Sequence, residues 1–294
     1  MGLTFMHEHL HLDLSAVKQN SDCFLNDLDA QVDELRALKR HGVTRIVDVT
    51  NLGMGRNIAY VEAVEQQSAV KVVSATGCYK APFLPDWFHT LSAEQLAERF
   101  IAEIERGLSD ETGARYTRKA QIIGEVGSGF ECINTDEQKL LHAAALASLA
   151  TGKFITTHTS LGRFGLEQLD LFARYGVRAE KIILGHTDLA GDRDYLFRLL
   201  ERGAWVEFDT IGKLAYQSDE LRADLFSEAI KCGFARQLLL SMDITRKSHL
   251  KRHGGIGYDY LFTHFLPLLY ERGVSERDML IVLQDNPNHI LGAI

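Results

Sequence analysis

The fold class that the sequence predicts is α/β, a single-domain TIM-type (β/α)8 barrel over residues 1–294. Three observations predict it. Apolar runs of strand length alternate with longer segments of helical period, the alternation fits eight repeats, and five of the apolar runs end in a metal-ligating residue type. Strict βα alternation implies a parallel sheet with helices packed on it. Eight repeats favour closure into a barrel over a doubly wound sheet, and barrels of about 250 residues routinely form one domain. With 294 residues and only four prolines, the chain has no Gly/Ser-rich stretch that reads as a linker.

The elements follow in order. Leu3 to Met6 reads as the first strand, and Asp27 to Arg40 as its helix, with Leu28, Val32, Leu35 and Leu38 recurring at intervals of three or four before Gly42. Thr44 to Val49 is the second strand, Asn57 to Gln67 its helix, Val70 to Thr76 the third strand, and Ser92 to Leu108 a long amphipathic helix. The fourth strand, Gln121 to Gly124, ends at Glu125, and the helix Thr135 to Ala150 opens with Thr135-Asp136-Glu137-Gln138, which reads as a capping box. Phe154 to Thr157 ends at His158 and precedes a helix over Leu166 to Tyr175. Ile182 to Gly185 ends at His186 and precedes Asp192 to Arg202. Ala204 to Phe208 and Ser218 to Cys232 form the seventh unit; Leu238 to Met242, ending at Asp243, and Tyr258 to Arg272 form the eighth. The intervening stretch, Ile244 to Gly257, contains three glycines and is placed to shape or cover the mouth.

Chemistry concentrates at the strand ends. His7 and His9 stand two apart, a spacing that puts both imidazoles on one side of an extended strand. Glu125, His158, His186 and Asp243 each follow a separate strand, so a parallel barrel gathers all six at its carboxyl mouth, where active sites of such barrels lie. His11 continues the alternation but lies beyond the strand and is read as a non-ligand. Imidazoles and carboxylates with few thiols suit divalent Zn, Mn, Co or Fe. Two such cations lower the pKa of a shared water toward neutrality and polarise a carbonyl or phosphoryl oxygen. Asp243 is placed to accept the nucleophile's proton and pass it to the leaving group.

Composition narrows the partners. A formal charge of -8 and the absence of a basic block argue against nucleic acid. The cysteines at 23, 78, 132 and 232 show neither CxxC pairing nor the density of a disulfide scaffold, so reduced thiols are expected. The longest apolar helix, Leu140 to Ala150, is too short to span a bilayer and carries His142. There is no signal-peptide pattern at the start, and Met6 departs from the myristoylation motif. The expectation is a cytoplasmic enzyme acting on a small molecule.

The segment Gly2-Leu3-Thr4-Phe5-Met6-His7-Glu8-His9-Leu10 resembles the N-terminal signature of the phosphotriesterase family within the amidohydrolase superfamily. His158-Thr159-Ser160, Gly165-Leu166-Glu167-Gln168-Leu169 and Gly185-His186-Thr187-Asp188 are similar to its second signature, and Ser241-Met242-Asp243 also fits. The resemblance implies a binuclear centre, usually zinc: His7, His9 and Asp243 on the more buried metal, His158 and His186 on the more exposed one, with a carboxylate and a hydroxide as bridges. It also implies a possible homodimer. The best-known members use a carboxylated lysine as the bridge; here that position is Glu125, and Lys119 lies at the far end of the strand.

Three residues bear on the substrate. Tyr79, after the third strand, is similar in placement to a tyrosine of the lactonase-like branch, on the leaving-group side. Lys213 and Arg246 follow the last two strands. If they point into the mouth they can bind an anion, Arg by a two-pronged contact and Lys as a point charge; otherwise they are solvated loop charges. The expectation is a lactone or ester bearing a phosphate or carboxylate. The alternatives are a phosphoester (di- or triester) hydrolase, a mononuclear sugar isomerase, and a non-catalytic metal-binding role. Asp188 is read either as an orienter of a ligand imidazole or as a loop cap.

Overall fold

In the computed structural model, which describes residues 2–292, eight strands pair side by side, each parallel to the next in chain order. They are β1 (Leu3–Glu8), β2 (Val43–Asp48), β3 (Lys71–Thr76), β4 (Ala120–Ser128), β5 (Ile155–Thr159), β6 (Ile182–Gly185), β7 (Trp205–Phe208) and β8 (Leu238–Leu240). Helices α1 (Leu28–Arg40), α2 (Ile58–Ser68), α3 (Ala93–Glu105), α4 (Thr135–Thr151), α5 (Gly165–Arg174), α6 (Arg193–Glu201) and α7 (Asp219–Lys231) each return the chain to the next strand. A wide helical turn over Leu261–Phe265 leads into α8 (Leu266–Glu271). The chain therefore forms the expected (β/α)8 barrel.

Period-two alternation sorts the strand residues into two cores. Val47, Val49, Val73, Ala75, Ile122, Ile183, Trp205 and Leu239 fill the barrel interior, while Ile46, Val72, Ile123, Ile182, Leu184, Val206, Leu238 and Leu240 face the helices. All the named helices except α5 and α8 are started by a side chain that takes up an orphan N–H group. Asp27 accepts from Ala30 N–H at 3.1 Å, and Ser92 and Gln95 form a reciprocal box at α3.

Side chains close the seam between β1 and β8. Ser241 Oγ accepts the N–H groups of Met6 and His7 at 2.7 and 2.8 Å and donates to Leu240 O at 2.8 Å. The Glu8 carboxylate accepts Met242 N–H at 2.7 Å and Ile244 N–H at 3.2 Å. Glu8 thus explains the middle residue of the His-Glu-His run: it ties the strand that carries His7 and His9 to the strand that carries Asp243.

Some boundaries differ from the sequence reading. β4 runs past Glu125 to Ser128, and its pairing with β5 shifts register between Ile123 and Val126, an irregularity that re-aims side chains along the strand. β8 stops at Leu240, two residues early, because Ser241 and Asp243 turn to the seam and the mouth. The box at α4 pairs Asn134 with Glu137, one residue ahead of the expected start. Helical segments Glu276–Leu280 and Asn286–Leu291 extend beyond the expected last helix, and Ile290 plugs the interior core from the amino end of the barrel. No helix among the described residues is long and apolar enough to cross a membrane.

Candidate metal centre

All six expected ligand residues meet at the carboxyl mouth, and Glu125 is their focus. His9 Nε2 stands 3.4 Å from Glu125 Oε1, while His158 Nδ1, His186 Nε2 and His7 Nε2 stand 3.1, 3.5 and 3.6 Å from Oε2. Asp243 Oδ1 lies 3.3 Å from His9 Nε2 and 4.0 Å from His7 Nε2. Donor atoms of His7, His9 and Asp243 cluster within 4.8 Å of one another, and so do those of Glu125, His158 and His186. Lys119 is exposed ahead of β4, far from the bridge position along the strand.

The backbone is shaped to bring these groups together. His186 and Asp243 adopt left-handed conformations, with φ of 60° and 47°. Non-glycine residues hold that region at a cost of about 1–3 kcal/mol, which surrounding contacts must over-determine. At His186 the contact is Asp209, whose carboxylate accepts the His186 N–H at 3.0 and 3.1 Å and meets its Nδ1 at 2.8 Å. Gly185 leaves the room this needs: a Cβ there would sit 3.1 Å from His7 Cε1 and 3.2 Å from Asp209 Oδ2.

A second layer of carboxylates backs the imidazoles. His7 Nδ1 is 3.1 Å from Glu207 and 3.3 Å from Asp209. With their Nδ1 atoms turned outward to acids, His7 and His186 present Nε2 inward, the arrangement by which outer carboxylates fix a ligand's tautomer. A third His/Asp cluster, His7, His186 and Asp209, lies on this outer side and is orienting by the same geometry. Glu207 and Asp209 were not among the expected site residues. The signal for them is the alternation Trp205, Glu207, Asp209 against Val206 and Phe208, which turns two acids inward from β7.

Of the two readings of Asp188, imidazole orienter or loop cap, the orienting contact is made by Asp209. Asp188 turns instead to Arg222, at 2.6 Å, and to the Thr210 hydroxyl, in a fully buried cluster beneath the mouth. Tyr79 reaches the site, its hydroxyl 3.2 Å from His158 Nδ1. Lys213 also arrives, but its ammonium is hydrogen-bonded to Asp243 Oδ2. Arg246 lines the same cavity of about 240 Å³. His11 donates to Gly55 O at 2.7 Å and stays out of the site.

Electrostatics match a site built around positive charge. Burial lowers the proton affinity of His9, but Asp243 and Glu125 outweigh it and raise the pKa to about 9. Burial opposes the charge on His186 too, and Asp209 with Glu125 lifts it to about 10. Burial would push the Glu125 carboxyl up, yet His7, His158 and His186 hold it well below the usual range. His158 moves the other way, to about 4, through burial and the nearby His186.

The donor set is one that could hold a metal ion. His7 Nε2 is fully buried and has no hydrogen-bond partner, although it points at Glu125 and Asp243. A buried ring nitrogen facing carboxylates without a hydrogen bond is the state in which a cation supplies the missing partner.

Fold and site together define a (β/α)8 barrel with candidate metal ligands on its strand ends, the architecture of a barrel metalloenzyme. The chain matches the phosphotriesterase family over residues 1–291 and belongs to it. It is 42% identical over 287 residues to the phosphotriesterase homology protein of Escherichia coli, covering 98% of this chain and 97% of that one. The crystal structure of that relative, with phosphate in its active site, superposes with a TM-score of 0.95 at 41% identity, covering 99% and 98% of the two chains. A phospho-furanose lactonase of Mycoplasmopsis synoviae is 29% identical, with 99% of this chain and 88% of that one covered.

Proposed function

We propose that the protein is a binuclear metal-dependent hydrolase of ester bonds, most active on a lactone or ester that carries a phosphate or carboxylate. The observation that carries this reading is the meeting of four imidazoles on one carboxylate: Glu125 faces His9 with one oxygen and His7, His158 and His186 with the other. A mononuclear isomerase would not need that bridge.

His7, His9 and Asp243 would hold one cation, His158 and His186 the other, with Glu125 between them. Zinc is the cation favoured, and Mn, Co or Fe suit the same donors. When bound, such a pair acidifies water and draws electron density from the substrate's carbonyl or phosphoryl oxygen. Asp243 is the proton acceptor. Its Oδ1 faces His9 and its Oδ2 faces Lys213, which holds the carboxylate ionised below its usual range against the cost of burial. The proton taken up there passes to the leaving alkoxide as the ester C–O bond breaks. Tyr79 keeps its proton, because burial and Glu125 raise its pKa well above the usual value, so its hydroxyl can donate toward the leaving oxygen. Arg246 supplies charge for the substrate's anionic group.

The preference for a lactone draws on the phospho-furanose lactonase relative. Phosphate in the active site of the Escherichia coli relative favours a phosphoester as the second reading. The test is turnover by metal-loaded protein of phosphorylated and unphosphorylated sugar lactones and of aryl phosphodiesters, with Asp243→Asn as control. Faster turnover of phosphorylated lactones, lost in the variant, is expected. Turnover of phosphodiesters alone would overturn the lactone assignment.

A further inference from the structure

Of the cations first expected to bind the substrate, Lys213 is held by Asp243, while Arg246 makes no ion pair among the described residues. Across the mouth stands another pair. Lys80 follows Tyr79 in the loop after β3, is half-buried, and lines the same cavity as the candidate ligands. Lys18, in the loop after β1, reaches the same wall.

Both ammonium groups lie near one ring. Lys18 Nζ is 5.7 Å and Lys80 Nζ 5.8 Å from the centre of Phe83, and Lys80 is also 5.5 Å from Tyr79. Neither has a carboxylate partner among the described residues, and Lys80 makes only a long contact of 3.4 Å to Ala81 O. Aromatic faces attract a cation, but two like charges on one ring repel each other. Burial opposes the charge on Lys80 and Lys18 adds to that opposition, and Glu137 and Glu125 do not make up the difference, so the ammonium's pKa lies below its usual value. A substrate anion between them would relieve both costs.

In an eight-stranded ring the loops after β3 and β7 face each other, so Lys80 and Lys213 approach the centre from opposite sides. Building on the hydrolase reading above, we infer that Lys80, with Lys18 beside it, forms a second anion-binding arm, so that the preferred substrate is an ester or lactone with an anionic group at each end. One end lies toward Arg246, the other against Lys80.

The test separates binding from turnover. Three non-hydrolysable tetrahydrofuran analogues are titrated calorimetrically into metal-loaded protein: a neutral one, one with a single phosphate, and one with a phosphate and a carboxylate at opposite ends. In wild type the doubly charged analogue binds best. Lys80→Gln weakens it roughly 10-fold or more, the effect of losing a charged hydrogen bond, and weakens the singly charged one far less. Arg246→Gln weakens both charged analogues. Lys18→Gln, an exposed change that leaves the core untouched, weakens the doubly charged analogue roughly 2- to 5-fold. Equal losses for all three analogues in Lys80→Gln, or no preference for the second charge in wild type, would overturn the inference. If the binding pattern holds while the matching lactones are not hydrolysed, the hydrolase reading fails and the anion arm stands.

Discussion

Removing the carboxylate behind His186 tests whether the second layer of acids builds the metal centre. In Asp209→Asn the side chain keeps its size, but one oxygen becomes an NH2 group that cannot accept from an imidazole N–H. Three contacts depend on that carboxylate: His186 Nδ1 at 2.8 Å, the His186 N–H at 3.0 Å, and His7 Nδ1 at 3.3 Å. Loss of such an outer partner typically lowers metal affinity 10- to 100-fold, about 1.4 to 2.7 kcal/mol. Because this carboxylate serves two ligand imidazoles, the upper half of that range is expected. The charge of the same carboxylate also favours the doubly protonated ring, whose Nε2 proton a metal must displace, and it is a main reason the His186 pKa rises to about 10. Proton competition therefore hides part of the loss near neutral pH, and the full effect emerges as pH approaches 10. Affinity is read by chelator competition from pH 6 to 10 in both proteins. Equal affinities throughout would refute the orienting role.

Further outcomes follow from the same contacts. For wild type, metal affinity rises with pH until about 10, because His9 and His186 must each lose a proton to bind; a flat profile between pH 6 and 10 would contradict this. Without metal, the raised pKa of His9 gives stability that is fully present below about 6.5. That contribution is lost as pH rises through about 9, so the denaturation midpoint of metal-free protein should fall over this window. Arg56→Met leaves Glu103 buried without the guanidinium now 2.7 Å away, and a cost of about 3–5 kcal/mol is expected in urea denaturation. A loss under about 1 kcal/mol would show that Thr76 and Ser109 alone satisfy that carboxylate. Ser241→Ala strips the acceptor from two buried N–H groups at the β1–β8 seam and should cost about 1–3 kcal/mol for each left unpaired; an unchanged urea midpoint would rule out its closing role.

The barrel and the convergence of the six candidate ligand residues are legible in the sequence because they obey local rules. Short apolar strands announce themselves by composition, and a ligand type at a strand end needs no knowledge of any partner. Glu207 and Asp209 were legible only in principle, because their alternation with Val206 and Phe208 matters once β7 is known to lie beside β6 and its His186. Asp188 shows the opposite limit: its place two residues after His186 is local, but Arg222, which claims it, arrives from α7. Lys213 lines the cavity at the mouth, but its pairing with Asp243 depends on loops 30 residues apart and is not legible locally. The capping box at α4 slipped by one residue because Asn134 and Thr135 are both able caps.

The most direct test of the central claim is metal content by elemental analysis on wild type and Glu125→Ala after the same metal loading and dialysis. If Glu125 joins two cations, wild type retains about two per chain and the variant clearly fewer. One metal per chain in both proteins would contradict the bridged centre and return the mononuclear isomerase reading to first place.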